Sequence, residues 1–279
     1  RTDEILPRKG SVAMSQNGGG PAPLVLLDGS TGHELKERLG VSSFATAMFA
    51  NVKQPELVTS VHADYVEAGC DVLTTNSFTL TPVALAEMTR TTGEDALPAL
   101  LHAAASCATA AAATARGGRQ VRIAGCLPPL NHCYLRELVP PAEEMVASYQ
   151  KIVAELAPRV DLFLAETLCC SAEACAALQA ATPSGKPCWL SLTMHDYLKA
   201  DGSPPALRGG ETVNQLLSAL SSSKLTPRAL LYNWCDKSSL APKLPPLLFT
   251  HDRLLFTHDR MHRWPPWMSS SCVPSIPVS

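Results

Sequence analysis

Residues 161 to 181 read DLFLAETLCCSAEACAALQAA. The first six, DLFLAE, form a short run whose apolar core is continuous rather than alternating, the mark of a strand buried on both faces. From about Ala172 to Ala181 the pattern turns helical. The same unit recurs on both sides of this stretch. Downstream, CWLSLTM (188 to 194) reads as a strand, GETVNQLLSALSSS (210 to 223) as a helix and RALLYNWC (228 to 235) as a strand. Upstream, VRIAGC (121 to 126) is a strand, and a helix from about Ala142 carries Met145, Tyr149, Ile152, Val153 and Leu156 at helical spacing before Pro158 ends it. Earlier still come LVLLD (24 to 28), a helix from Pro55 with Val58, Val61, Tyr65 and Val66 on one face and Gly69 as its stop, DVLTTN (71 to 76), and an Ala-rich helix from about Asp95 to Arg116. Strands alternating with helices predict a parallel sheet covered by helices, either a (β/α)8 barrel or a doubly wound sheet.

The glycines of Asp28-Gly29-Ser30-Thr31-Gly32 are too few and wrongly spaced for a dinucleotide fingerprint, and no GxxxxGK[ST] occurs. A formal charge of -2 gives no field for nucleic acid or an anionic membrane, and no apolar run reaches the roughly 18 residues needed to span a bilayer. A general nucleic-acid or anionic-membrane binder is therefore disfavoured, and the sequence does not set the oligomeric state. Several cysteines, including Cys70, Cys107, Cys126 and Cys175, sit in apolar segments. That distribution points to reduced thiols and a cytoplasmic setting.

Polar residues gather at the carboxyl ends of the expected strands: Asp28, Thr75 with Asn76, Glu166, His195 with Asp196, and Asn233 with Cys235. In a barrel those ends make one rim, where active sites are built. The competing explanation for any single position is a helix cap or a turn. Cys169 and Cys170 read as buried apolar residues rather than as ligands.

The ends of the chain depart from this pattern. Residues 1 to 23 are expected to be a disordered leader, with Met14 a plausible start. Residues 240 to 279 are expected to be a disordered tail in which LLFTHDR occurs twice, at 247 to 253 and 254 to 260. The duplication itself explains the spacing of His251, His258 and His262, so they are not taken as a metal site. The barrel domain is expected over 24 to 239.

The blocks LLDGSTGHELKERLG, HADYVEAGCDVLTTNSFTLTPVAL, DLFLAETLCCSAEACAAL, WLSLTMHD with DGSP, and LLYNWC together resemble the homocysteine S-methyltransferase family. The resemblance spans about 24 to about 239. It implies a (β/α)8 barrel and transfer of a methyl group from S-methylmethionine, betaine or a similar donor to the zinc-activated thiol of homocysteine, giving methionine. By the same resemblance Asp28 and Glu166 bind the substrate ammonium, Thr75, Asn76 and Phe78 are pocket candidates, and Cys235 is the first zinc ligand, although Trp234 stands where the family usually has Asn.

The family takes two further zinc thiolates from a GGCCG segment. Nothing like it follows Cys235, and Cys272 in SSSCVPS is no substitute. A catalytic zinc needs about three protein ligands. The polypeptide as written is therefore expected to be a truncated or mis-spliced barrel, with about six of eight strand-helix units recognisable, whose purified product holds no stoichiometric zinc and shows no methyl transfer. The alternative to an enzyme is a noncatalytic homologue that binds homocysteine weakly or associates with an intact barrel. A lyase with a Lys Schiff base ranks last, since no strand end carries a Lys.

Overall fold

A computed structural model describes residues 25–42, 44–92, 95–194 and 206–233. Its elements run α1 (Thr31–Leu39), α2 (Phe44–Lys53), α3 (Pro55–Glu67), β1 (Val72–Thr74), α4 (Pro82–Thr92), α5 (Leu97–Ala112), β2 (Arg122–Leu127), α6 (Ala142–Leu156), β3 (Leu162–Leu168), α7 (Ser171–Ala181), β4 (Cys188–Thr193), α8 (Val213–Ser222) and β5 (Ala229–Asn233). The five strands form one sheet in the order β1-β2-β3-β4-β5, and every neighbouring pair is parallel. The 25–28 segment joins β1 through a single bridge, Leu27 to Val72. The Asp28 N–H donates to the Val72 carbonyl at 3.1 Å beside it.

This order separates the two architectures that the alternation leaves open. A doubly wound sheet reverses direction at a switch point, so its strand order is not the chain order. Five parallel strands in chain order, preceded by a segment bridged in parallel to the first, are the winding of a (β/α)8 barrel.

The two faces of the sheet pack differently. On one, Leu73, Ile123, Phe163, Leu190 and Leu230 join the helical residues Val58, Leu101, Ile152 and Leu216 in the main core. On the other, Val72, Ala124, Leu162, Leu164, Trp189 and Leu231 form a second cluster with Val25 and Leu27, and no helix contributes to it. This second face is the barrel interior. Arg122 stacks 5.1 Å from the Trp189 ring at the amino end of this face.

Three helices were not legible in the sequence, α1, α2 and α4. The α1 segment carries few apolar residues and is held by polar bonds instead. Ser30 caps its start, Gly40 ends it in the left-handed region at φ 63°, and Arg38 bonds Glu34 and Asp64. The helices that were legible, α3, α5, α6, α7 and α8, start or stop within a few residues of their expected bounds.

His62 on α3 is fully buried among Val58, Val61, Tyr65 and Val66, and neither ring nitrogen has a hydrogen-bond partner. Burial lowers its pKa from 6.5 to about 4. Between those values the unfolded chain holds a proton that the folded chain refuses, so acidification draws the equilibrium toward unfolding. Stability is expected to fall as pH drops from 6.5 to about 4, by up to ~3 kcal/mol. Thermal melts of His62→Leu should lose this part of the acid sensitivity and gain about 1 kcal/mol at neutral pH. A variant as acid-sensitive as its parent would contradict the assignment.

Candidate rim site of two carboxylates

Asp28 ends the 25–28 segment, and its carboxylate reaches sideways to β1. Oδ2 accepts the Thr74 N–H at 2.7 Å and Oδ1 accepts the Thr74 hydroxyl at 2.9 Å. The following helix is capped by Ser30, so Asp28 does not serve as its cap. Gly29 is required by close approach: a Cβ there would lie 3.0 Å from the Tyr65 hydroxyl and 3.1 Å from its ring. Tyr65 is 2% exposed and has nowhere to retreat. The Asp-Gly pair thus lets the chain fold tightly over an aromatic ring while the carboxylate stays at the rim.

Burial raises the Asp28 pKa from 3.8 to about 8. The two Thr74 hydrogen bonds pull the other way, and the charge of Glu166 adds to the rise. Glu166 lies in β3 on the inner face, two residues beyond Leu164. Its Oε1 accepts a hydrogen bond from the Cys126 thiol at 3.0 Å. Burial raises its pKa as well, and the Cys126 bond offsets part of that rise. Among the described residues Glu166 makes no ion pair with a Lys or Arg. Two acids therefore share one water-poor rim with no protein cation between them, an arrangement that an incoming ammonium would complete.

The backbone around Glu166 is irregular. The β3 to β4 register shifts between Ala165 and Leu168, and Thr167 has φ 63°. A β-branched residue in the left-handed region costs roughly 1–2 kcal/mol. Bulges of this kind re-aim side chains next to functional sites. Nothing in the local sequence ETL announces the bulge.

The remaining rim residues divide into those turned to the protein and those outside the described part. The Thr75 hydroxyl accepts the Cys126 N–H at 3.1 Å and bonds Ser77 at 2.8 Å, tying β1 to β2. The Asn76 amide donates to Asn51 Oδ1 at 2.9 Å, and the Asn51 amide donates to the Asn76 carbonyl at 2.8 Å, which fastens the end of β1 to α2. Phe78 is half-buried. His195, Asp196 and Cys235 lie outside the described residues. So do residues 1–24 and 234–279, and with them the expected leader and tail.

Thr74, Cys126 and Tyr65 were not legible as site residues. Cys169 and Cys170 are each 1% exposed, as their apolar reading requires, yet they also converge on Glu173. The Cys169 N–H donates to Glu173 Oε2 at 2.8 Å, and the Cys170 thiol lies 3.8 Å from the same oxygen. Burial raises the Glu173 pKa, and a hydrogen bond from Cys169 lowers that of Cys170.

The sequence profile of the homocysteine S-methyltransferase family matches residues 25–259, a span that runs past the boundary expected near 239. The chain belongs to that family. Among solved structures it is similar to the homocysteine methyltransferase MmuM from Escherichia coli in its metallated form, at 24% identity and a TM-score of 0.63, over 75% of this chain and 74% of that one. The oxidized form of the same enzyme gives 24% identity and a TM-score of 0.62, over 75% and 73%. This likeness is one of fold. No curated protein sequence matches the chain.

The raised Asp28 pKa carries a stability consequence of opposite sign to that of His62. As pH climbs from 3.8 toward about 8, the unfolded chain gives up a proton that the folded chain keeps, so stability falls through that window. Asp28→Asn removes the penalty and keeps an oxygen for the Thr74 N–H. Its midpoint of thermal unfolding at pH 7.5 is expected to exceed the parent's, by an amount corresponding to about 1–3 kcal/mol. An equal or lower midpoint would contradict the burial argument.

Proposed function

We propose that this chain binds homocysteine at the rim, with the substrate ammonium between Asp28 and Glu166, as the acceptor site of a homocysteine S-methyltransferase. The reaction is transfer of a methyl group from S-methylmethionine or a similar donor to the homocysteine thiol, forming the S–CH3 bond of methionine. The observation that carries this reading is the pair of half-buried carboxylates, both with pKa values pushed upward by desolvation, with no protein cation among the described residues to neutralise them. An ammonium brings three donors, and each hydrogen bond it makes to a carboxylate is charge-assisted, of roughly twice the strength of a neutral one.

The chain's own residues have defined parts in this reading. Thr74 fixes both Asp28 oxygens, and the Cys126 thiol fixes Glu166 Oε1. With a pKa of about 8, Asp28 is largely protonated at neutral pH in the absence of substrate. The ammonium favours the ionised carboxylate, so the Asp28 proton leaves to solvent as homocysteine enters. Partial burial of both groups strengthens their attraction for the ammonium relative to open water.

Zinc is the cofactor that family membership implies, as the group that converts the substrate thiol into a thiolate. Cys235 is the matching donor and lies outside the described residues, and the sequence holds no counterpart of the other two thiolates. One donor of about three does not fit a catalytic zinc, so no step here passes through the metal. That shortage favours a second reading, a noncatalytic homologue that binds homocysteine weakly or pairs with an intact barrel. The described cysteines are all free, which supports a cytoplasmic setting. Among the described residues no helix is long and apolar enough to cross a membrane.

Calorimetric titration of the purified chain with homocysteine tests the site. Affinity is expected to rise about tenfold per pH unit below 8 and then to level off as Asp28 ionises without help. Asp28→Ala and Glu166→Ala should each weaken binding by about tenfold or more. Binding that ignores both pH and these variants would refute the assignment. Methionine formation from S-methylmethionine, followed by NMR, separates the catalytic from the noncatalytic reading. A mixed complex with an intact homologue on size exclusion would support the pairing version of the latter.

A further inference from the structure

Immediately beyond the bulge that follows Glu166, β3 leads into α7 through Cys169 and Cys170. Glu173, in the first turn of α7, points back at both. We infer that Cys169, Cys170 and Glu173 form a binding site for a thiophilic divalent cation of the Zn²⁺ class, separate from the Cys235 position. The two sulfurs and the carboxylate oxygen lie within 4.8 Å of one another, a spread that modest side-chain rotation closes onto one ion, and all three residues are buried. Exposures of 1%, 1% and 2% set this cluster apart from a chance meeting of acidic groups on the surface.

Other roles account for the cluster less well. Helix capping explains the bond from the Cys169 N–H to Glu173 and leaves the two thiols unexplained. A disulfide between adjacent residues would have to bridge Cα atoms about 3.8 Å apart, shorter than the usual span of roughly 4.4–6.8 Å. An internal ion pair is absent, since among the described residues no Lys or Arg pairs with Glu173, and Arg136 nearby pairs with Glu211. Plain packing would be served better by an apolar side chain than by a carboxyl group at 2% exposure. Two thiolates with a carboxylate are the donor set that selects a soft, tetrahedral cation over Mg²⁺ or Ca²⁺.

The cluster also has a built cover. The Gly209 N–H donates to the Cys169 carbonyl at 2.8 Å, and Glu211 Oε2 accepts the Ser171 N–H at 2.7 Å. A Cβ on residue 209 would fall 2.6 Å from the Cys169 oxygen and 3.1 Å from Cys170 Cβ, so only glycine allows this strap to lie on the pair. Cation entry displaces the thiol protons to solvent, with no change of oxidation state. It leaves one open coordination position.

Cd²⁺ titration of the reduced, full-length Cys235→Ser chain tests the site, followed by the thiolate-to-metal absorption band and by chelator competition. One equivalent with a thiolate band is expected. Cys169→Ser and Cys170→Ser should each diminish the band and weaken affinity by about tenfold or more. Glu173→Gln keeps an acceptor for the Cys169 N–H and should weaken affinity with the band retained. Far-UV circular dichroism reports whether each variant folds. If a cysteine variant does not fold, Glu173→Gln decides, and affinity equal to the parent's overturns the site. A parent without the band, or a folded Cys169→Ser chain that retains full band and affinity, overturns it equally.

Discussion

Removing a carboxylate from water is costly unless donors or a positive charge replace the lost solvation, and at the rim of this barrel the replacement is partial. Asp28 receives two hydrogen bonds from one residue, Thr74, and Glu166 receives one from a thiol. No guanidinium or ammonium of the described chain stands between them. The result is a pair of acids whose pKa values burial drives upward, one of them to about 8. A fold that carries such a penalty gains it back when a cationic ligand arrives, and this is the physical basis of the proposed ammonium-bearing substrate.

The rest of the architecture serves to bring those two acids to one place. Asp28 and Glu166 are 138 positions apart in the chain, by subtraction of their residue numbers. They meet because four consecutive parallel segments, 25–28, β1, β2 and β3, pair in chain order with their carboxyl ends on one side. The apolar inner face, from Val72 to Trp189, keeps water out below the rim. Gly29 above Tyr65 and the bulge at Thr167 then set the final position of each carboxylate. Tight packing fixes the first; a backbone conformation that Thr rarely adopts accompanies the second.

Much of this was legible in the sequence, and what was not has identifiable causes. Strands buried on both faces read as continuous apolar runs, so β1, β4 and β5 fall within the expected stretches, while β2 ends at Leu127 and β3 at Leu168, just past theirs. The 25–28 run shrinks to one bridge. Alternation alone could not separate a barrel from a doubly wound sheet, because both use the same strand-helix unit and differ only in spatial order. The α1 helix escaped because polar bonds from Ser30, Glu34 and Asp64 hold it, not a periodic apolar face. Asp28 and Glu166 were marked by their place at strand ends together with family resemblance. Thr74 and Cys126, which hold them, could be found only once register was known. The same holds for Cys169 and Cys170: their burial follows from composition, whereas their convergence on Glu173 is a property of the turn into α7.

In the proposed function the rim is an acid pair that receives an ammonium, and the protonation of Asp28 reports on it directly. Carboxyl-carbon NMR titration of selectively labelled protein, with and without saturating homocysteine, measures that state. Asp28 is expected to titrate near 8 in the free chain and to stay ionised down to mildly acidic pH when homocysteine is bound. An Asp28 that titrates at an ordinary carboxylate value in the free chain, or whose titration is unmoved by homocysteine, would contradict it.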